Sequence, residues 1–193
     1  MSASGNILFS GVGGQGILLA SEVTAYALLA AGLDAKKSEV HGMAQRGGSV
    51  VAHLRFGEKV YSPLIDPGKA DIVVAFETME AVRYLPFLHK DSKVIVNTHK
   101  IAPPAVATGK APYPHDILDE LTKRNIKTYL VDGFNIAKSV GEIRSANLAL
   151  VGALSSLLPI DEQVFLDVMT KRLPRSLDQN IAAFKAGRAI TQK

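Results

Sequence analysis

The stretch Ile7-Leu8-Phe9-Ser10-Gly11-Val12-Gly13-Gly14-Gln15-Gly16 decides the fold of this chain. An apolar run leads into a glycine turn, and the turn leads straight into a helical pattern from Ile17 to Ala31. Strand, glycine turn and helix in that order open a nucleotide-type α/β unit. Glycine suits such a turn because it accepts positive φ and lets backbone amides approach a ligand closely. The unpaired first-turn N–H groups of the following helix favour an anion. Gly11, Gly13 and Gly16 complete the spacing G-x-G-x-x-G, with Gly14 and Gln15 inside it. Two readings are open for these five residues: a cradle for an anionic group, and a turn kept small for tight packing. Gln15 has a donor and an acceptor and can orient a ligand or brace the turn.

Outward from the turn, the first helix has almost no hydrophilic face, so it is expected to be buried on more than one side. One side can cover a sheet; the other needs a second helix or a second chain. Gly32 reads as its C-cap. A second strand is expected over Ala35–Val40. A crossover helix should follow in a dinucleotide-binding half, but the sequence gives the glycine-rich loop His41-Gly42-Met43-Ala44-Gln45-Arg46-Gly47-Gly48. The alternating run Ser49–Phe56, a turn at 57–59 and a short strand near Val60-Tyr61 read as a β-hairpin, with His53 structural.

Strand and helix then alternate again. Ala70–Phe76 reads as a buried strand, Glu77–Tyr84 as a helix, and Lys93–Asn97 as the next strand. Residues 98–114, with four prolines, form a connection. A helix over Asp116–Arg124 and a strand over Lys127–Val131 follow. Ser145–Leu158 is a small-residue helix stopped by Pro159. Asp161 N-caps a helix to about Lys171, and the amphipathic stretch Ser176–Ile190 closes the chain. The fold class is therefore α/β: a Rossmann-like layered sheet, mostly parallel, with an inserted antiparallel β-hairpin and C-terminal helices.

The 193 residues suit one well-buried core, and no linker or repeat divides them, so residues 1–193 are expected to form a single domain. There are no cysteines. The chain therefore holds no disulfide, no cysteine-ligated iron–sulfur cluster and no thiol nucleophile. No signal peptide or membrane span is evident, and a cytoplasmic location is expected. The net charge of +4 fits a basic surface that attracts an acidic protein or an anionic cofactor. No basic run with interleaved aromatics points to nucleic acid.

The chemistry is limited by what is missing. A P-loop needs Lys and Ser or Thr after its last glycine, but Gly16 is followed by Ile17 and Leu18. A free-standing NAD(P)-dependent dehydrogenase remains as an alternative, with Glu39 near the ribose position. A solvated strand-end acid is the plainer reading of Glu39, and no proton-transfer pair accompanies it. The five histidines show no metal-ligand spacing, and His41 alone lies in a glycine-rich loop. Serines lack a G-x-S-x-G context. No catalytic residue and no metal ligand is assigned to this chain.

Four segments then carry a resemblance: Gly11–Gly16, the loop His41–Gly48, Ala70-Asp71-Ile72-Val73-Val74-Ala75-Phe76-Glu77, and Asn147-Leu-Ala-Leu-Val-Gly-Ala-Leu154. In this order and spacing they resemble the gamma subunit, or gamma domain, of 2-oxoacid:ferredoxin oxidoreductases. The small subunits of the indolepyruvate-type members are the most similar. The resemblance covers essentially the whole chain.

It implies a non-autonomous subunit of a complex that oxidatively decarboxylates a 2-oxoacid, forms an acyl-CoA and reduces ferredoxin. Aryl pyruvates such as indolepyruvate are the implied substrates. Thiamine diphosphate and the iron–sulfur clusters are implied to sit on partner subunits, so this chain binds no cofactor stably by itself. Gly11, Gly13, Gly14, Gln15 and Gly16 are the candidates for an anion, such as a phosphate of CoA. His41, Gly42, Met43, Arg46, Gly47 and Gly48 are the candidates for the interface with the thiamine-binding subunit. Surplus apolar surface on the first helix and on 146–158 is expected to serve docking.

Overall fold

In the computed structural model, which describes residues 3–41, 48–102, 104–114 and 116–192 (the side chains of 41, 104 and 105 excepted), the sheet is laid around β1, Gly5–Val12. Ile7, Leu8 and Phe9 are all fully buried. A strand covered on both faces selects a continuous apolar run, and that is why the alternation expected of a half-exposed strand is absent. In chain order β1 is followed by α1 (Ile17–Ala30), β2 (Asp34–His41), β3 (Ser49–Gly57), β4 (Ala70–Ala75), α2 (Thr78–Arg83) and β5 (Leu88–Asn97). Then come the short α3 (Pro104–Ala107) and α4 (Asp119–Lys123), β6 (Lys127–Val131), α5 (Gly133–Ser139), α6 (Ala146–Ser155), α7 (Glu162–Arg172) and α8 (Leu177–Thr191).

The strand order is β2-β3-β1-β4-β5-β6. β1, β4, β5 and β6 are mutually parallel, and β3 runs antiparallel to both β1 and β2. Ile7 and Phe9 point into a core roofed by α1, α6, α7 and α8. Leu8, Val73 and Val94 point into a second core under α2 and α4. The result is the three-layer, mostly parallel α/β architecture expected from the alternation of elements.

The antiparallel hairpin is present, but with different partners. Ser49–Gly57 pairs with Asp34–His41 and with β1. The short strand expected near Val60-Tyr61 does not form. Val60 gives its N–H to the Asp34 carboxylate at 2.9 Å, so this amide is not available to a ladder, and Pro63 two residues beyond Tyr61 has no N–H to extend one. His53 is structural as expected: it is buried, and its Nδ1 accepts from the Ile65 N–H at 3.1 Å. Burial lowers its pKa, in keeping with a neutral ring that accepts at Nδ1.

The surplus apolar surface finds its partners inside the chain. Asn147–Ser155 of α6 are all buried, between the sheet, α1, α5 and α8. α1 is covered by the sheet, α6 and α7, leaving Leu18 and Leu29 exposed. The docking role expected for α6 is thereby overturned, because the helix core consumes it. α5 was not expected; Asp132 caps it by accepting from Asn135 N at 3.1 Å. Asp161 sits at the N-cap of α7 without making a side-chain cap. Gly32 lies one residue beyond the cap Ala31, where Leu33 N donates to Leu28 O in a Schellman arrangement.

α6 crosses α8 at two glycines. A Cβ on Gly187 would come within 1.8 Å of Ala149 O, and one on Gly152 within 1.9 Å of Phe184 O. Both obstacles are backbone, so a methyl group can enter only if the helices part. Gly187→Ala is therefore expected to cost about 1–3 kcal/mol or more, as overpacking in a core does. Urea unfolding measures this; an unchanged midpoint would show that the crossing is loose.

Candidate functional site

The glycine turn divides between packing and an open cleft. Gln15 Oε1 accepts from Val12 N at 2.7 Å, and Gln15 Nε2 donates to Phe76 O at 2.8 Å. The side chain thus braces the turn and ties it to the end of β4. Gly13 N donates to Gly48 O at 2.9 Å. A Cβ on Gly11 would strike Gln15, Phe76 and Ile17 at 2.7–2.8 Å, so Gly11 is required for packing. Gly14 (φ +103°) and Gly16 (φ +78°) adopt backbone conformations that L side chains resist. Gly14 faces open space, whereas a Cβ on Gly16 would lie 2.3 Å from Asn147 Nδ2.

Phe76 O accepts a second donor, Asn97 Nδ2, at 3.1 Å. Asn97 Oδ1 in turn accepts from Gly133 N at 3.2 Å and from His99 N at 3.4 Å. These bonds join the carboxyl ends of β1, β4 and β5 to the first turn of α5. Above them opens a cleft of about 610 Å³. In a parallel α/β sheet this end of the strands is where ligands bind.

The floor of the cleft is Gly14, Gln15 and Gly16 at the N-terminus of α1. One wall carries His99, stacked on Phe134 with ring centres 5.2 Å apart, and Ile101. The rim carries Arg144, Arg172 and Arg175. Arg144 is forked onto Glu142 at 2.8 and 3.0 Å, and Arg172 lies over the Tyr26 ring at 3.3 Å. Arg175 has no carboxylate partner among the described residues. Helix terminus and arginines together favour an anion. Asn147 is only 4% exposed. A buried acceptor left unpaired is costly, and Asn147 Oδ1 has no partner among the described residues.

The second glycine-rich segment enters at the same end of the sheet. Gly48 meets Gly13, and Ser49 Oγ donates to Glu80 Oε2 at 2.9 Å. Glu80 is 3% exposed and also accepts from Arg83 Nε at 2.8 Å. This buried carboxylate fixes the start of β3. Gly42, Met43, Arg46 and Gly47 lie outside the described residues, as does the side chain of His41. Glu39 is ion-paired with Lys37 and lies away from the cleft. Among the described residues no cluster of His, Cys, Asp or Glu fits a metal ion, and no helix is long and apolar enough to cross a membrane. Sequence reasoning missed Asn97, His99, Asn147 and the rim arginines. Only the position of Asn97 at the end of a buried strand gave a signal.

Fold and site define a class: an α/β protein with a cleft at the carboxyl ends of its parallel strands. The pyruvate ferredoxin/flavodoxin oxidoreductase family model matches residues 6–190, and the chain belongs to that family. It is 40% identical over 190 residues to indolepyruvate oxidoreductase subunit IorB of Thermococcus kodakarensis, covering 94% of this chain and 93% of that one. With the IorB subunit of Methanothermobacter thermautotrophicus the identity is 39% over 189 residues, covering 94% and 95%. Among solved structures, the pyruvate oxidoreductase subunit PORC of Thermotoga maritima has the same fold, with a TM-score of 0.75 at 22% identity over 97% of each chain. A third of a 2-oxoglutarate:ferredoxin oxidoreductase chain from Magnetococcus marinus also shares it: TM-score 0.76, 21% identity, 100% of this chain and 32% of that one. These relatives are subunits or parts of oxoacid oxidoreductases, which sets aside the free-standing NAD(P) enzyme.

The Glu142–Arg144 fork leads to a pH-dependent outcome. Hydrogen bonds from the Arg144 side chain, the Arg144 backbone and Ser176 hold the Glu142 carboxyl down at about 2, against an ordinary 4.5. A depressed carboxylate stabilises the fold above its unfolded value and loses that contribution as pH falls through its folded value. NMR titration of Glu142 is expected to give a midpoint near 2. A midpoint near 4.5 would show that the fork does not persist in solution.

Proposed function

We propose that this chain is a non-autonomous, gamma-type subunit of a 2-oxoacid:ferredoxin oxidoreductase, built as a single domain. In this reading the complex decarboxylates an aryl pyruvate such as indolepyruvate with CoA, and passes the electrons to ferredoxin. Thiamine diphosphate and the iron–sulfur clusters sit on partner subunits in the cytoplasm, and this chain supplies part of the CoA side. The cleft is the observation that carries the reading. It offers a helix terminus and three rim arginines. A group that carries phosphates, as CoA does, matches the anion-favouring floor and the rim arginines. Support for CoA also comes from the Magnetococcus fold neighbour, whose structure contains CoA and succinyl-CoA.

Reconstitution is the experiment that tests this. The purified chain alone is expected to give no oxoacid-dependent dye reduction, and addition of the thiamine-binding subunit is expected to restore it. Reduction by the chain alone would overturn the assignment.

We further propose that the loop from His41 to Gly48 faces the thiamine-binding subunit, with Arg46 presenting its planar donor fork and Met43 an adaptable apolar contact. The junction of Gly48 with Gly13 supports this, since it roots the loop beside the glycine turn. Arg46→Ala is expected to leave the thermal midpoint of the isolated chain unchanged. In the complex it is expected to weaken association or turnover by about 1–3 kcal/mol, the cost of a lost charged hydrogen bond. Wild-type assembly and turnover would show the loop to be a connector only.

A further inference from the structure

The described residues of the segment 98–114 run from the end of β5, and His99 and Ile101 line one side of the cleft. None of the described side chains in this segment is buried. Apolar burial therefore contributes little to holding the segment in place, and such segments open at low cost unless something else ties them. The ties here are hydrogen bonds. Thr98 N donates to Val131 O at 3.0 Å, and His99 N to Asn97 Oδ1 at 3.4 Å. Farther along, Ile101 N and the Tyr113 hydroxyl donate to one atom, Glu77 Oε1, at 3.3 and 2.6 Å.

Glu77 is 1% exposed, and no lysine or arginine among the described residues pairs with it. Its other oxygen, Oε2, caps α2 by accepting from Met79 N at 2.7 Å. Among the described residues three donors satisfy this buried carboxylate, and two of them come from the segment 98–114. Burying a carboxylate is costly unless donors surround it, so the segment and the carboxylate hold each other. Burial, followed by the carboxylate beside it, raises the Tyr113 hydroxyl above the ordinary phenol range, so it remains a donor. Lys100 Nζ lies 5.3 Å from the centre of the Tyr113 ring and closes the segment on itself.

We propose that Glu77 and Tyr113 form a clasp that holds the described residues of 98–114 as a strap, and that this strap is the movable wall of the cleft. His99 and Ile101 line the cleft from the strap, whereas Glu77 and Tyr113 do not touch it. The two clasp residues are positioning residues. They act through the strap, by keeping His99 against Phe134. The consequence for ligand affinity rests on the CoA reading above; the clasp does not.

Tyr113→Phe removes the hydroxyl and keeps the ring under Lys100. In the reconstituted complex, hydrogen exchange across 98–114 and tryptic cleavage after Lys110 are both expected to accelerate about tenfold, the factor that one charged hydrogen bond carries. The KM for CoA is expected to change while kcat is retained, a split that a general loss of stability would not give. Glu77→Gln, which keeps the shape and weakens the acceptor, is expected to act in the same direction. Wild-type exchange and cleavage in both variants would overturn the clasp. Faster exchange with an unchanged KM would uphold the clasp and remove CoA from the cleft, so the two readings fail separately.

Discussion

The carbonyl of Phe76 takes two amide donors, Gln15 Nε2 and Asn97 Nδ2, and the rest of the site depends on that junction. Parallel strands that end at one edge leave backbone groups with no ladder partner. Water satisfies them at an open edge, but side chains must do so beneath a cleft. Gln15 reaches across from β1, Asn97 from β5, and Asn97 passes the connection to Gly133 at the head of α5. Four elements are thereby fixed relative to one another by neutral hydrogen bonds. No ion pair is needed at this junction, which leaves the charged groups for the rim.

Two buried carboxylates do comparable work on either side. Glu80 fixes the entry to β3 through Ser49, and Glu77 fixes the strap through Ile101 and Tyr113. Both belong to the segment that leaves β4, so one short stretch anchors two connections that burial alone would leave loose. A carboxylate accepts several donors at once and penalises the loss of any one. It can therefore set the position of a long connection without much apolar area.

The helical side of the domain is held differently. α6 packs along α8 at backbone distance through Gly152 and Gly187, and its whole apolar circumference is spent inside the chain. The large apolar side chains exposed among the described residues are scattered: Leu18 and Leu29 on α1, Val40 on β2, Tyr61 and Leu64 after β3, Leu130 on β6, and Phe134 and Ile143 at the cleft. A family of multi-subunit enzymes accommodates this arrangement readily. The domain can complete its own core and still present a structured edge, with the glycine turn and the root of the 41–48 loop side by side.

The sequence by itself determined the layered α/β class, the order of the main elements and the glycine turn, because burial on both faces and glycine spacing are local signals. It also indicated an antiparallel insertion, since the run Ser49–Phe56 alternates as a ladder strand must. Only tertiary structure decided that this run pairs with β2 and β1 rather than with Val60-Tyr61, because Asp34 captures the Val60 amide from a distant position. Apolar content could not say whether α6 faced a partner or α8, since both surfaces look alike to a hydrophobic helix. The candidate site was half legible. Gly14 and Gly16 could be read from their spacing, but Asn97, His99, Asn147 and Glu77 are ordinary residues until folding brings together chain segments far apart in sequence. Their roles come from desolvation and geometry, and a linear pattern records neither.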